Sequence, residues 1–195
     1  FQKHAADCEV YYCRRLEKET YEELGSTKLM DLVRDSKYDQ ILLYIHGFRT
    51  LPEDAFGSAA ELQALCHKQR SPKILVIPVI WPCVGGEVKT YWTDQDSAKY
   101  SCASFRRALL FFLQWPNDGN LLCTMRVNVL AHSMGALVLR EALQDLKNAP
   151  ELCGNGLPRL FRNIFLAAAD IENESLQRGQ TGDAMCDVSR NVVVY

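Results

Sequence analysis

Ser133 is the residue of this chain whose setting best suits covalent chemistry. It lies in Leu130-Ala131-His132-Ser133-Met134-Gly135, after an apolar run that begins at Val127 and before Ala136, Leu137, Val138 and Leu139. A serine hydroxyl is a poor nucleophile until a base takes its proton. A sharp strand-to-helix turn of the form G-x-S-x-G lifts the hydroxyl clear of a sheet, into the open. Ala131 stands where that pattern has its first glycine, and Gly135 keeps the second. Both are small enough for a crowded turn. The same residues also fit a serine N-cap on an ordinary turn. The matching strand and helix favour the nucleophile.

Attack on a carbonyl carbon builds negative charge on its oxygen. A backbone donor aimed at that charge is worth roughly 3–4 kcal/mol. The Met134 amide, at the helix start, is in place for this. The second donor of such a site comes from the loop after an earlier strand. His46-Gly47-Phe48 occupies that position, and the Phe48 amide is the expected donor. Gly47 would let the backbone come close to a substrate. The alternative is a plain strand-to-helix turn with His46 as a structural hydrogen bonder.

No base follows from these residues. The histidines are His4, His46, His67 and His132, and none comes after Ser133, where the order Ser…Asp/Glu…His would put one. His4 is in a terminal segment, and His67 is expected on a helix surface. His132 adjoins Ser133, so its side chain is expected to project away from the serine. Asp170, after Ala167-Ala168-Ala169, could orient a histidine. It equally fits the start of the next loop, with Glu172 and Glu174 as solvated neighbours.

These residues need elements to position them. Ile41–Ile45 is apolar on both faces, as a central parallel strand would be. A helix is expected from Pro52, with Glu53 and Asp54 at its positive end and Lys68 and Arg70 near the other. Ile74–Ile80 is a further strand, expected to end or turn irregular at Pro78. Asp96 or Ser97 is expected to cap a helix reaching about Trp115, and Pro116–Asn120 to end it. Leu160–Ala169 and Asn191–Tyr195 read as strands. Strands and helices alternating in this way imply an α/β fold, a mostly parallel sheet with helices on both faces. Ligands then bind beyond the carboxyl ends of the strands. His46–Arg49, His132–Gly135 and Asp170–Asn173 are all expected there. Before residue 38 only Val10-Tyr11-Tyr12 suggests a short edge strand. The charged residues from Arg14 to Glu23 read as a solvated loop or helix face, and Leu29, Leu32 and Val33 as a helical turn. The domain division is 1–37, an N-terminal extension or edge strand, and 38–195, a partial catalytic-type domain.

The 195 residues are 48% hydrophobic and 24% charged, with a net charge of −2. That is the balance of an ordinary globule. Lys68, Arg70 and Lys73 are scattered, so no nucleic-acid surface is expected. No apolar run reaches the roughly 18 residues of a spanning helix. The eight cysteines form no C-x-x-C and no zinc spacing. Free thiols in a reducing, cytoplasmic compartment are expected. No cofactor or metal motif occurs. The start at Phe1 and the stop within an apparent strand at Tyr195 read as a fragment truncated at its C-terminus. Aromatic Trp81, Tyr91 and Trp92, around the Cys83–Thr93 loop, either roof a pocket for apolar acyl groups or pack.

Taken in order, Ile45-His46-Gly47-Phe48-Arg49-Thr50, Ile80-Trp81-Pro82, Asp94-Gln95-Asp96-Ser97-Ala98, Leu130–Gly135 and Leu166-Ala167-Ala168-Ala169-Asp170-Ile171 resemble the α/β-hydrolase superfamily. They look closest to its branch of uncharacterised esterase- and lipase-like proteins, over roughly residues 38–195. The resemblance implies a Ser–Asp–His triad with Ser133 as nucleophile and the Phe48 and Met134 amides as oxyanion hole. It also implies a small-molecule ester as substrate, and a histidine and the acid beyond Tyr195. The alternative is a non-catalytic binding or interaction module on the same fold.

Overall fold

Burial along one strand explains the layers. In β3 (Gln40–Ile45), Ile41, Leu43 and Ile45 enter a large buried cluster, while Leu42 and Tyr44 join a smaller one with Ala59 and Val76. Successive side chains of a strand point to opposite faces, so a strand apolar at every position needs cover on both. The computed structural model describes residues 9–68, 73–84, 88–114, 126–149 and 157–195. Cys8, Cys123, Cys153, His4 and the expected breaks at Ser71-Pro72, Gly85-Gly86, Pro116–Asn120 and Gly154–Gly156 lie outside the described residues.

A parallel five-stranded sheet has the order β4-β3-β5-β6-β7. Its other strands are β4 (Ile74–Val79), β5 (Arg126–His132), β6 (Phe161–Ala167) and β7 (Ser189–Val194). Helix α2 (Pro52–His67) covers one face through Ala59 and Leu62. Helices α3 (Tyr91–Gln114) and α4 (Gly135–Lys147) cover the other. A short helix, α5 (Ala184–Val188), leads into β7. The large cluster joins Ala98, Phe105 and Leu109 of α3 to Ala136, Leu139 and Leu143 of α4. The fold is the expected α/β architecture.

Two expectations change and one is sharpened. The first strand is not Val10–Tyr12: β1 (Cys13–Glu17) pairs antiparallel with β2 (Thr20–Glu23) in a separate hairpin. Cross-strand charge holds it where an apolar face does not; Arg14 faces Glu22 in register at 2.5 Å. Glu53 of α2 receives Arg15 and the Tyr21 hydroxyl, and these hydrogen bonds hold its carboxyl down at about 2. Second, β4 ends at Val79, one residue past Pro78, with the proline still in register with Tyr44. It is an edge strand, where a missing donor costs no ladder bond. Third, α3 begins at Tyr91, because a 3₁₀ turn at Val88–Thr90 feeds it directly. After β2, the helical turn extends to α1 (Gly25–Arg34), which buries Met30 and Val33.

A row of side-chain amides crosses the sheet. Asn191 donates to Asn163 (2.9 Å), Asn163 to Asn128 (2.7 Å) and Asn128 to Gln40 (3.2 Å). The register pairs Asn128 with Asn163 and Asn163 with Asn191. A one-residue slip would turn each amide to the opposite face, so the row opposes slippage. We expect Asn163→Ala to lower unfolding free energy by about 1–3 kcal/mol, because it removes both the donor to the Asn128 side-chain oxygen and the acceptor for Asn191. Asn191→Ala, at the exposed end, should cost less. Urea denaturation of both variants compares them.

Candidate active site

Strain marks the carboxyl edge of the sheet. Arg49, Ser133 and Ala168 have φ of 60°, 50° and 46°, at or just past the ends of β3, β5 and β6. The left-handed region costs a non-glycine residue roughly 1–2 kcal/mol, and such residues gather where surrounding structure over-determines them. Around Ser133 the bonds are visible. Its N–H donates to the Ala167 carbonyl (2.9 Å), and its carbonyl accepts from Ala136 (3.0 Å) and Asp170 (3.1 Å). The hydroxyl itself has no hydrogen-bond partner among the described residues.

Two glycines let the elements close on this turn. A Cβ on Gly135 would meet the carbonyl oxygens of Ile45 and His46 at 2.6 Å. The first turn of α4 therefore rests on the end of β3. A Cβ on Gly47 would meet His132 Nδ1 at 2.9 Å and the Ser133 Cβ at 3.0 Å. The loop after β3 thus lies against the serine. Neither the Phe48 amide, next to Gly47, nor the Met134 amide, next to Ser133, has an acceptor among the described residues. The His132 ring is exposed and leans over Gly47 instead of leaving the site, a difference from the sequence expectation.

His46 holds the loop from beneath. It is fully buried, and its ring stacks on Trp81 at 5.1 Å with 7° between planes. The Trp81 backbone N–H donates to His46 Nε2 (3.2 Å), and the indole N–H to the His46 carbonyl (2.9 Å). Nε2 is therefore an acceptor, which assigns the proton to Nδ1, donating to the Gly47 carbonyl (2.9 Å). Both ring nitrogens are used, so His46 is structural. Burial pushes its ionisation below the usual 6.5. Beside it, burial and then the charge of Asp94 push the Cys83 thiol up to about 12. Asp94 is itself buried and accepts from the Val84 N–H (2.7 Å). His67 bonds the Ile74 carbonyl, at the start of β4 and thus the opposite edge of the sheet.

Asp170 lies three residues past β6, and its backbone reaches Ser133. Its Oδ2 accepts the Tyr91 hydroxyl at 2.6 Å. Downstream, Glu172 bonds Arg140 of α4 and Ser175, which ties this loop to the helix after the serine. The structure thus gathers Ser133, Met134, Phe48 and Asp170 at one edge. From the sequence, Trp81 and Tyr91 read as roof or packing, and Trp81 and Asp94 enter the family resemblance with no role of their own. Their partners are distant in sequence, so no spacing announces them. Among the described residues no cluster of His, Cys, Asp and Glu could hold a metal. The five described cysteines are free thiols. No described helix is long and apolar enough to cross a membrane.

The family described as "Alpha/beta hydrolase of unknown function (DUF900)" matches residues 22–195. Among solved structures, an iodinated complex of acetyl xylan esterase is similar over 82% of this chain and 83% of its own, at 11% identity and a TM-score of 0.48. No curated protein matches the chain.

Gly135→Ala should destabilise the protein by about 1–3 kcal/mol, because backbone must move to admit the methyl. A shift in the denaturation midpoint checks this. His46 sets a pH dependence. Its folded ionisation lies below 6.5, so under that pH the unfolded chain binds a proton that the folded chain does not. Stability is whole above about pH 6.5 and falls as pH drops. Urea midpoints between pH 7.5 and 5 should decline, and the decline should be shallower in His46→Gln.

Proposed function

The chain belongs to this alpha/beta hydrolase family, and from that premise we propose that the protein is a serine hydrolase of carboxylic esters with Ser133 as its nucleophile. The observation that carries the reading is the left-handed turn at Ser133, with the Gly47 loop seated against it and two unengaged amides alongside. Ser133 Oγ attacks the ester carbonyl carbon and gives its proton to a base. The Phe48 and Met134 amides donate to the resulting oxyanion. Collapse expels the alcohol, which takes the proton, and leaves an acyl group on Ser133. Water, activated by the same base, then attacks the acyl-enzyme and releases the acid.

Asp170 is the acid in this proposal, with one carboxylate oxygen turned to Tyr91 and the other left for an imidazole. The base is assigned to a histidine outside these 195 residues. His46 is occupied at both nitrogens, His67 lies at the opposite edge of the sheet, and the His132 ring, over Gly47, makes no hydrogen bond to the Ser133 hydroxyl. One observation favours the second reading, a binding module without turnover: the Ser133 hydroxyl has no partner among the described residues.

A fluorophosphonate probe should label the full-length protein at Ser133, and short p-nitrophenyl esters should be cleaved. Ser133→Ala should remove the labelling and lower kcat by at least about 10³-fold. Intact labelling in that variant would sink the assignment of Ser133. Neither labelling nor cleavage in the unmutated protein would favour the binding module.

A further inference from the structure

Tyr91 is the first residue of α3, and it touches both sides of the candidate site. Its hydroxyl donates to Asp170 Oδ2 at 2.6 Å, across 79 residues of chain. Its ring meets the Phe48 ring edge-on, with centroids 5.5 Å apart and 67° between planes. Trp92 also meets its ring edge-on, at 5.4 Å and 86°. Phe48 follows Gly47, which lies against Ser133. The Asp170 amide donates to the Ser133 carbonyl. The contacts close a ring: Ser133 to Asp170, Asp170 to Tyr91, Tyr91 to Phe48, and back through Gly47 to Ser133.

The base of Tyr91 is itself held. One helical turn on, buried Asp94 accepts the Val84 N–H, which ties the start of α3 to the segment after β4. That segment also carries Trp81, whose indole N–H holds the His46 carbonyl. A phenol on a flexible mount would be a poor strut; this one sits on a helix start tied to a segment that is itself tied to His46. The direction of its bond is equally secure. The hydrogen bond to Asp170, then burial, push the phenol up to about 12, so it remains a donor throughout neutral pH. Asp170 correspondingly remains an acceptor at Oδ2. A rotamer held at one oxygen presents the other in a fixed direction, which a carboxylate needs if it is to orient an imidazole.

We infer that Tyr91 is a positioning residue that acts through Asp170, its hydroxyl fixing the carboxylate while its ring braces the Phe48 loop, so that acid and oxyanion donor keep one geometry about Ser133. The inference rests on the roles proposed above for Ser133 and Asp170. Its two parts are separable. Tyr91→Phe removes the bond to Asp170 and leaves the ring contacts. The carboxylate is then free to rotate, while the loop stays braced.

The experiment is a double-mutant cycle on the full-length protein with p-nitrophenyl acetate: Tyr91→Phe, Asp170→Asn and both together. Tyr91→Phe should lower kcat about tenfold and move KM less than about twofold. In the Asp170→Asn background the same change should cost nothing further. Equal losses in both backgrounds, or no loss with Asp170 intact, overturn the inference. Absorbance titration of the phenol, read as the difference between each protein and its Tyr91→Phe counterpart, is independent of turnover. Tyr91 should ionise nearer the ordinary 10 in Asp170→Asn than with Asp170 present. An unmoved phenol overturns the Tyr91–Asp170 bond. If the unmutated protein neither labels nor cleaves while the phenol moves as expected, the hydrolase reading fails and the strut stands.

Discussion

The first turn of α4 rests directly on the last carbonyl of β3 and the one that follows it, with no side chain between them. A Cβ at position 135 would be 2.6 Å from the oxygens of Ile45 and His46, a distance real atoms do not adopt. Everything at this edge depends on that closeness. It brings the helix N-terminus, with its unengaged amides, alongside the loop that follows β3. It also makes the turn at Ser133 so short that the serine takes a left-handed φ of 50°. A longer turn would relieve the strain and move the serine away from Gly47.

Such strain persists only where neighbours over-determine it. Here the neighbours are backbone groups. The Ser133 amide is bonded to the last residue of β6, Ala167, and its carbonyl to Asp170 in the segment that follows. That segment is fastened in turn to α4 by Arg140, which is almost fully buried and bonds Glu172. Lower down, Lys147 reaches Asp183 at 2.7 Å and Asp187 at 3.1 Å. The helix after the serine and the chain after Asp170 therefore hold each other at two levels. On the other side, His46 carries the load without carrying chemistry. A buried histidine whose two nitrogens and backbone carbonyl are all engaged acts as a rigid post for the Gly47 loop.

Away from this edge the sheet carries a different specification. A parallel sheet whose strands are apolar on both faces has little in its pattern to prevent slippage, because shifted apolar residues still find apolar neighbours. The amide row through Gln40, Asn128, Asn163 and Asn191 supplies what the apolar pattern lacks. Its members satisfy one another, which makes burial of Asn128 tolerable.

Much was legible in the order of residues because its cause is local. Ile41–Ile45 is apolar at consecutive positions and had to be a covered strand. Pro52 with Glu53 and Asp54 marked the start of α2. Ala131 and Gly135 around Ser133 marked a crowded strand-to-helix turn. Alternation of strands and helices then required a parallel sheet, and so required the loops after β3, β5 and β6 to share an edge. The hairpin of β1 and β2 was illegible because its pairing rests on charges facing across two strands, not on an apolar period. Pro78 marked the end of β4, which stops one residue later at Val79, but only the strand order shows that the proline sits on an edge strand. The proton on Nδ1 of His46, the tilt of His132 over Gly47 and the bond from Tyr91 to Asp170 were decided by tertiary structure alone. Each is a contact between groups whose separation along the chain follows no repeat, and a distance in space has no period for a sequence to display.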